Sequence, residues 1–136
     1  MQAALRQAEA NRGKDIALVR QAQANVAKAI AQVNQAKANV AKDEAQAKNN
    51  NVQAQRYRNL YRQKAVSQSQ VEQFEMIAAT QQATVTADRD AVANAVAAVG
   101  AAKAADTRAV RQLSVETDRG TQCDRGAFCG GTDGAG

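Results

Sequence analysis

The chain contains no proline, no histidine and no tryptophan, and its aromatics are two tyrosines and two phenylalanines. Without proline, no residue forces a break in a long helix. Without histidine, a frequent zinc ligand and the commonest general base are both missing. There is also no glycine-rich phosphate loop, and no carboxylate pair set in a plausible pocket. The expectation is therefore no enzyme, no catalytic residue, no cofactor and no metal. Hydrophobic residues make up 45% of the chain, but most of them are alanine, which buries little area, so a thick multilayer core is not expected. No run of eighteen apolar residues is present, so no segment reads as a membrane span. No signal peptide is visible, and any export or anchoring signal of a parent protein is expected outside this chain. The two cysteines, Cys123 and Cys129, lie in a glycine-rich stretch. A disulfide in an oxidising compartment and two incidental thiols both fit them; a zinc site does not.

What the sequence does have is alanine, glutamine, lysine and valine at heptad spacing, with a net charge of +5 over 136 residues. Val19, Val26, Val33 and Val40 recur every seven residues, and Ala22, Ala29 and Ala36 follow the first three of them at d. This is a coiled-coil seam with β-branched a positions and small d positions. A 14-residue repeat lies on top of it, QAQANVAK at 21–28 returning as QAKANVAK at 35–42. Further on, Ala47 and Ala54 replace valine at a, while Asp43 and Asn50 occupy d. Helix is expected to persist through Asn49-Asn50-Asn51 with looser packing. Gly13 is a weak spot, costing about 1 kcal/mol relative to alanine.

The periodicity breaks only at Gln63 to Val66, which suits a tight connection between antiparallel helices. Ser67 followed by Gln70 is the capping-box pattern for a second helix. In that helix Val71, Ala78, Val85, Val92 and Val99 repeat the heptad, supplemented by Val96, Val110 and Leu113. A turn centred between Lys64 and Ala65 would set Ile16 opposite Leu113, Val19 opposite Val110, Ile30 opposite Val99, Val33 opposite Val96 and Val52 opposite Ile77. Asp88 and Asp90 beside Arg89 read as a solvated face, with Asp43 and Arg89 close enough for a surface ion pair. Past Thr117 the sequence TDRGTQCDRGAFCGGTDGAG has no period and reads as disordered. The predicted fold is all-α, a long antiparallel two-helix coiled-coil hairpin with a disordered glycine-rich C-terminal tail. Helix 1 is expected at about 2–62, the tip at 63–66, helix 2 at about 67–114, and a disordered or frame-shifted tail at 118–136.

The tip, RYRNLYRQKAVS at 56–67, carries Tyr57 and Tyr61 with Phe74 nearby, and a knot of charge from Arg56, Arg58, Arg62 and Lys64. Exposed tyrosine and arginine are typical interface residues, and Tyr57 and Arg58 are candidates on that ground. The alternative is that Leu60 and Tyr57 merely close the coil and Ser67 is only a cap.

The arrangement resembles the α-helical hairpin of the membrane fusion proteins, or HlyD-like periplasmic adaptors. The family's tip pattern R-x-x-x-L-x-x-x-x-x-x-S is matched by Arg56, Leu60 and Ser67. QAALRQAEAN resembles the start of the first hairpin helix, SQSQVEQFEMIAATQQATV the start of the second, and VRQLSVET the return to a lipoyl-like domain. The resemblance covers about residues 2–117. It implies a non-catalytic spacer and docking arm in efflux or secretion. The arm would be periplasmic and tied to the inner membrane through parts absent from this chain. The tip would meet a TolC-like outer-membrane channel, an inner-membrane transporter would bind through the missing domains, and several copies would assemble as a homo-oligomer. The family's Ala-Pro strand and flanking β domains have no counterpart here, so an isolated hairpin is expected. A free-standing structural or lipid-associating helical protein is the alternative, but its apolar face should be wide and bulky rather than a narrow Val/Ala stripe. Nucleic-acid binding finds no recognised motif.

Overall fold

The computed structural model describes residues 2–124. They form two helices that pack against each other, α1 (Gln2–Arg62) and α2 (Gln68–Asp124). The predicted all-α hairpin is what these residues form. Gly13 does not interrupt α1, and α1 runs on through the Asn49–Asn51 triplet. The 14-residue repeat has a structural counterpart. Gln7 donates to Asn11, Gln21 to Asn25 and Gln35 to Asn39, at 3.2, 3.3 and 3.4 Å. Each bond joins side chains one turn apart and adds a few tenths of a kcal/mol to the helix, on the order of 0.2–0.5.

Two compact units can be distinguished. The first comprises residues 28–99. Its seam on α1 is Ala29, Val33, Ala36, Val40, Asp43, Ala47, Asn50, Ala54 and Tyr57, all buried or half-buried. The seam on α2 is Val71, Phe74, Ala78, Gln81, Val85, Asp88, Val92, Ala95 and Val99. These are the a and d positions read from the heptads. The segment around Asn50 is not loosely packed: Ala47 and Ala54 are only 5% and 4% exposed and Val85 only 1%. Alanine at a allows close approach of a β-branched partner, and Gln46 donates to Asn50 at 3.1 Å, satisfying its amide oxygen within α1.

The register within this unit differs from the expected one. Tyr57 lies against Phe74, Arg58 against Glu75 and Glu44 against Arg89. The expected register would have put Tyr57 opposite Glu72 and Arg58 opposite Val71. The helices have slid by roughly half a turn to one turn. The reason is the choice of seam. Ile30, Val52, Ile77 and Val96, which the expected pairs used, are exposed flank residues, while the strict a and d positions meet.

The second unit comprises residues 2–27 and 100–124 among those described. Asp15 and Ala22 are buried in it, and Val19, Val26, Ala102, Asp106, Ala109 and Leu113 are half-buried. Leu113 therefore joins the seam, whereas Val110 is exposed. α2 continues to Asp124, beyond the expected end near residue 114 and into the expected tail. Extending a formed helix gains one hydrogen bond per residue, and Gly120 opposes that by only about 1 kcal/mol. The remainder of the expected tail, including Cys129, lies outside the described residues, as do the side chains of 120–124, Cys123 among them.

Candidate docking tip

The turn that joins α1 to α2 is built by two interlocking caps. At the end of α1, the Lys64 amide donates to the Tyr61 carbonyl at 2.8 Å and the Ala65 amide to the Leu60 carbonyl at 2.9 Å. This bond pair is a Schellman motif, and it needs a left-handed residue at its centre. Lys64 takes that role with φ 59°. At the start of α2, the Ser67 hydroxyl accepts from the Gln70 amide at 3.3 Å, and Gln70 Oε1 accepts from the Ser67 amide at 3.2 Å. The reciprocal bonds are the capping box that the Ser67–Gln70 spacing predicts. Five residues, Gln63 to Ser67, thus reverse the chain with their backbone groups largely paired.

Just behind the turn, Tyr57 stacks on Phe74 with ring centroids 3.9 Å apart and planes 19° from parallel. The two rings close the seam where the small residues give out. Leu60 and Val66 are half-buried, so each shows part of its apolar surface. Tyr61 is 45% exposed.

The positive knot divides into two kinds of residue. Arg58 is bound by Glu75 on α2, through its Nε. Arg56, Arg62 and Lys64 are exposed and make no ion pair among the described residues. They stand near the C-terminal end of α1, where the helix dipole favours cations. Of the five candidate residues, the fold brings Arg56, Leu60 and Ser67 to the tip surface. Tyr57 is turned into a ring stack and Arg58 into a cross-helix pair.

Farther along the unit, Arg89 donates to Glu44 Oε1 from Nη2 at 2.7 Å and from Nε at 3.1 Å. The expected partner of Arg89 was Asp43, so this ion pair is reassigned. Asp43 instead lies 3.7 Å from Lys42. Asp88 is also not on a solvated face. It is half-buried on the seam, with Oδ2 shut off from water and without a donor. A hydrogen bond to Asp43, burial and the charge of Asp43 all raise its pKa, with Lys42 opposing. The heptad count already put Asp43 at d. Continuing it along α2 from Val71 puts Asp88 at d as well, and that signal could have found the pair. The Glu75 partner of Arg58 and the Schellman turn at Lys64 needed the register and the turn geometry.

No helix among the described residues is long and apolar enough to cross a membrane, and no group of three or more His, Cys, Asp or Glu there could hold a metal ion. Within the unit of residues 28–99, the two packed helices are closed by a doubly capped turn that presents an exposed cationic surface. Residues 32–98 match the family model described as the RND MFP, alpha-helical hairpin domain. Residues 32–98, just under half of the chain, are thus similar to the α-helical hairpin domain of the RND membrane fusion proteins, a family that is periplasmic, membrane-associated and generally non-catalytic. Comparison with curated proteins and with solved structures gave no match.

Proposed function

We propose that this chain serves as the docking and spacer arm of a periplasmic adaptor. In that role it links an inner-membrane transporter to a TolC-like outer-membrane channel in efflux or secretion. Members of the family generally work between such partners. The observation that carries the reading is the tip itself. Within the matched hairpin domain, Arg56, Arg62 and Lys64 stand exposed and free of ion pairs beside the half-buried Leu60 and Val66. Guanidinium groups pair with carboxylates and backbone carbonyls of a partner, and Leu60 supplies an apolar anchor. Because the turn is already held by its caps, docking orders few additional torsions, which favours affinity. Ser67 has a structural duty in the capping box, and its hydroxyl keeps acceptor and donor capacity for a partner. Tyr57 and Arg58 support the tip from behind, and several copies side by side form the assembled conduit.

The test is to graft residues 2–117 in place of the hairpin of a working adaptor and to assay efflux with Arg56→Ala and Leu60→Ala beside the parent graft. Loss of transport in both variants, at unchanged protein level, is the expected result. Full transport in both would reduce the tip to the closed end of a coiled coil.

A further inference from the structure

The unit of residues 28–99 contains a charge arrangement that the docking role does not use. Asp43 and Asp88 occupy d positions on opposite helices, in the register that also sets Tyr57 against Phe74. The Asp43 side chain is only 16% exposed, and Asp88 Oδ2 is closed off from water with no donor in reach. In the register that sets Tyr57 against Phe74, the half-buried residue of α1 at the level of Asp88 is Asp43. Two carboxylates offer each other acceptors only, so the contact is repulsive unless one of them carries a proton.

The other charges near the pair are accounted for. α1 brings Lys42 and Glu44. Lys42 is mostly exposed and sits 3.7 Å from Asp43, and Glu44 is taken by Arg89. α2 brings Arg89, committed to Glu44, and Asp90, which is exposed. Among the described residues Asp88 makes no ion pair, and the charge of Lys42 opposes the effect of Asp43 on it without outweighing it.

We infer that Asp43 and Asp88 form a proton-operated clasp across the seam, closed by one shared proton and loosened when that proton leaves, so that mild acid tightens the hairpin. The hydrogen bond to Asp43, burial and the Asp43 charge all make Asp88 hold its proton more firmly in the folded hairpin than in the unfolded chain. Folding then takes up a proton in the interval between the two pKa values. The contribution of the clasp is complete below the unfolded value and is lost as pH rises through the folded one. This is opposite in sign to an ordinary salt-bridged aspartate, whose contribution is lost on acidification.

The test uses the full 136-residue chain. The side-chain carboxyl carbon of Asp88 is followed by NMR from acid to neutral pH, and thermal unfolding is followed by circular dichroism for wild type and Asp88→Asn. Asparagine presents a donor to Asp43 at every pH and mimics the closed clasp. The expected Asp88 midpoint lies above the ordinary aspartate value of about 3.9. Asp88→Asn should melt higher than wild type at pH 7.5, and the gap should close below about pH 4, where wild-type Asp88 is protonated in both states. A midpoint at or below the ordinary value would overturn the inference by itself, whatever the variant does. So would an Asp88→Asn protein that folds but gains no stability at pH 7.5.

Discussion

Lys64 shows how a single residue is constrained by the turn it must make. Its amide and that of Ala65 close the Schellman bonds only while Lys64 stays at φ 59°. A left-handed conformation costs an L-residue about 1–2 kcal/mol, which glycine does not incur. Glycine loses more unfolded-state entropy, by about 0.4–1 kcal/mol. Lys64→Gly is therefore expected to raise stability by a net of about 0.5–1 kcal/mol, measured by thermal or urea unfolding. The same variant removes one exposed charge from the tip. A gain in stability coupled to weaker partner binding would separate the two duties of this residue. Ser67 is legible from sequence because a capping box is local, whereas the strain at Lys64 has no sequence mark: lysine is not a turn residue by type.

At the scale of the element, the question is which face of each helix is buried. The valine heptads name the face, and the burial pattern of Ala22, Ala29, Val33, Ala47 and Ala54 on α1 follows them. Of the supplementary apolar residues, Leu113 joins the seam, but Val96 and Val110 are where sequence reading failed. Val96 and Val110 are 51% and 45% exposed, although both are as hydrophobic as Val85. A periodic pattern weighs every valine alike, but only a strict a or d position faces the other helix. The contrast makes a direct check. Val85→Ala should cost about 1.5–2 kcal/mol, from two buried carbons and the space they leave. Val96→Ala should change stability by no more than about 0.5 kcal/mol. Comparable losses at the two positions, read from denaturant midpoints at constant slope, would reject the observed register in favour of the one expected from the sequence.

For the molecule as a whole, the buried apolar side chains are unevenly distributed. Among the described residues, all of them except Ala22 fall within residues 28–99, the unit that also holds the capped turn and the cross-helix ion pairs Arg58–Glu75 and Arg89–Glu44. The ion pairs are exposed and each contributes at most about 1 kcal/mol, so burial is the larger difference. Amides around Ala47 should therefore exchange at least about tenfold more slowly than those around Gln7, by native-state hydrogen exchange at neutral pH. Equal rates would mean that burial does not set local stability in this chain. With its proton lost at neutral pH, the Asp43–Asp88 pair of the inferred clasp works against the same unit, so the unit's protection factors should rise on mild acidification.

Composition and period were enough for the all-α class, the two helices, the position of the reversal and the capping box. These features depend on residues close together in the chain, where local propensity and a repeat of seven speak directly. Which residues face each other was settled by packing. The pairing of Tyr57 with Phe74, of Arg58 with Glu75 and of Glu44 with Arg89, and with it the level at which Asp43 and Asp88 stand on the seam, depend on how far one helix slides along the other. Several registers bury a similar narrow stripe of valine and alanine. The choice among them falls to the length of the turn and to how closely alanine lets two backbones approach, and neither is written in a heptad.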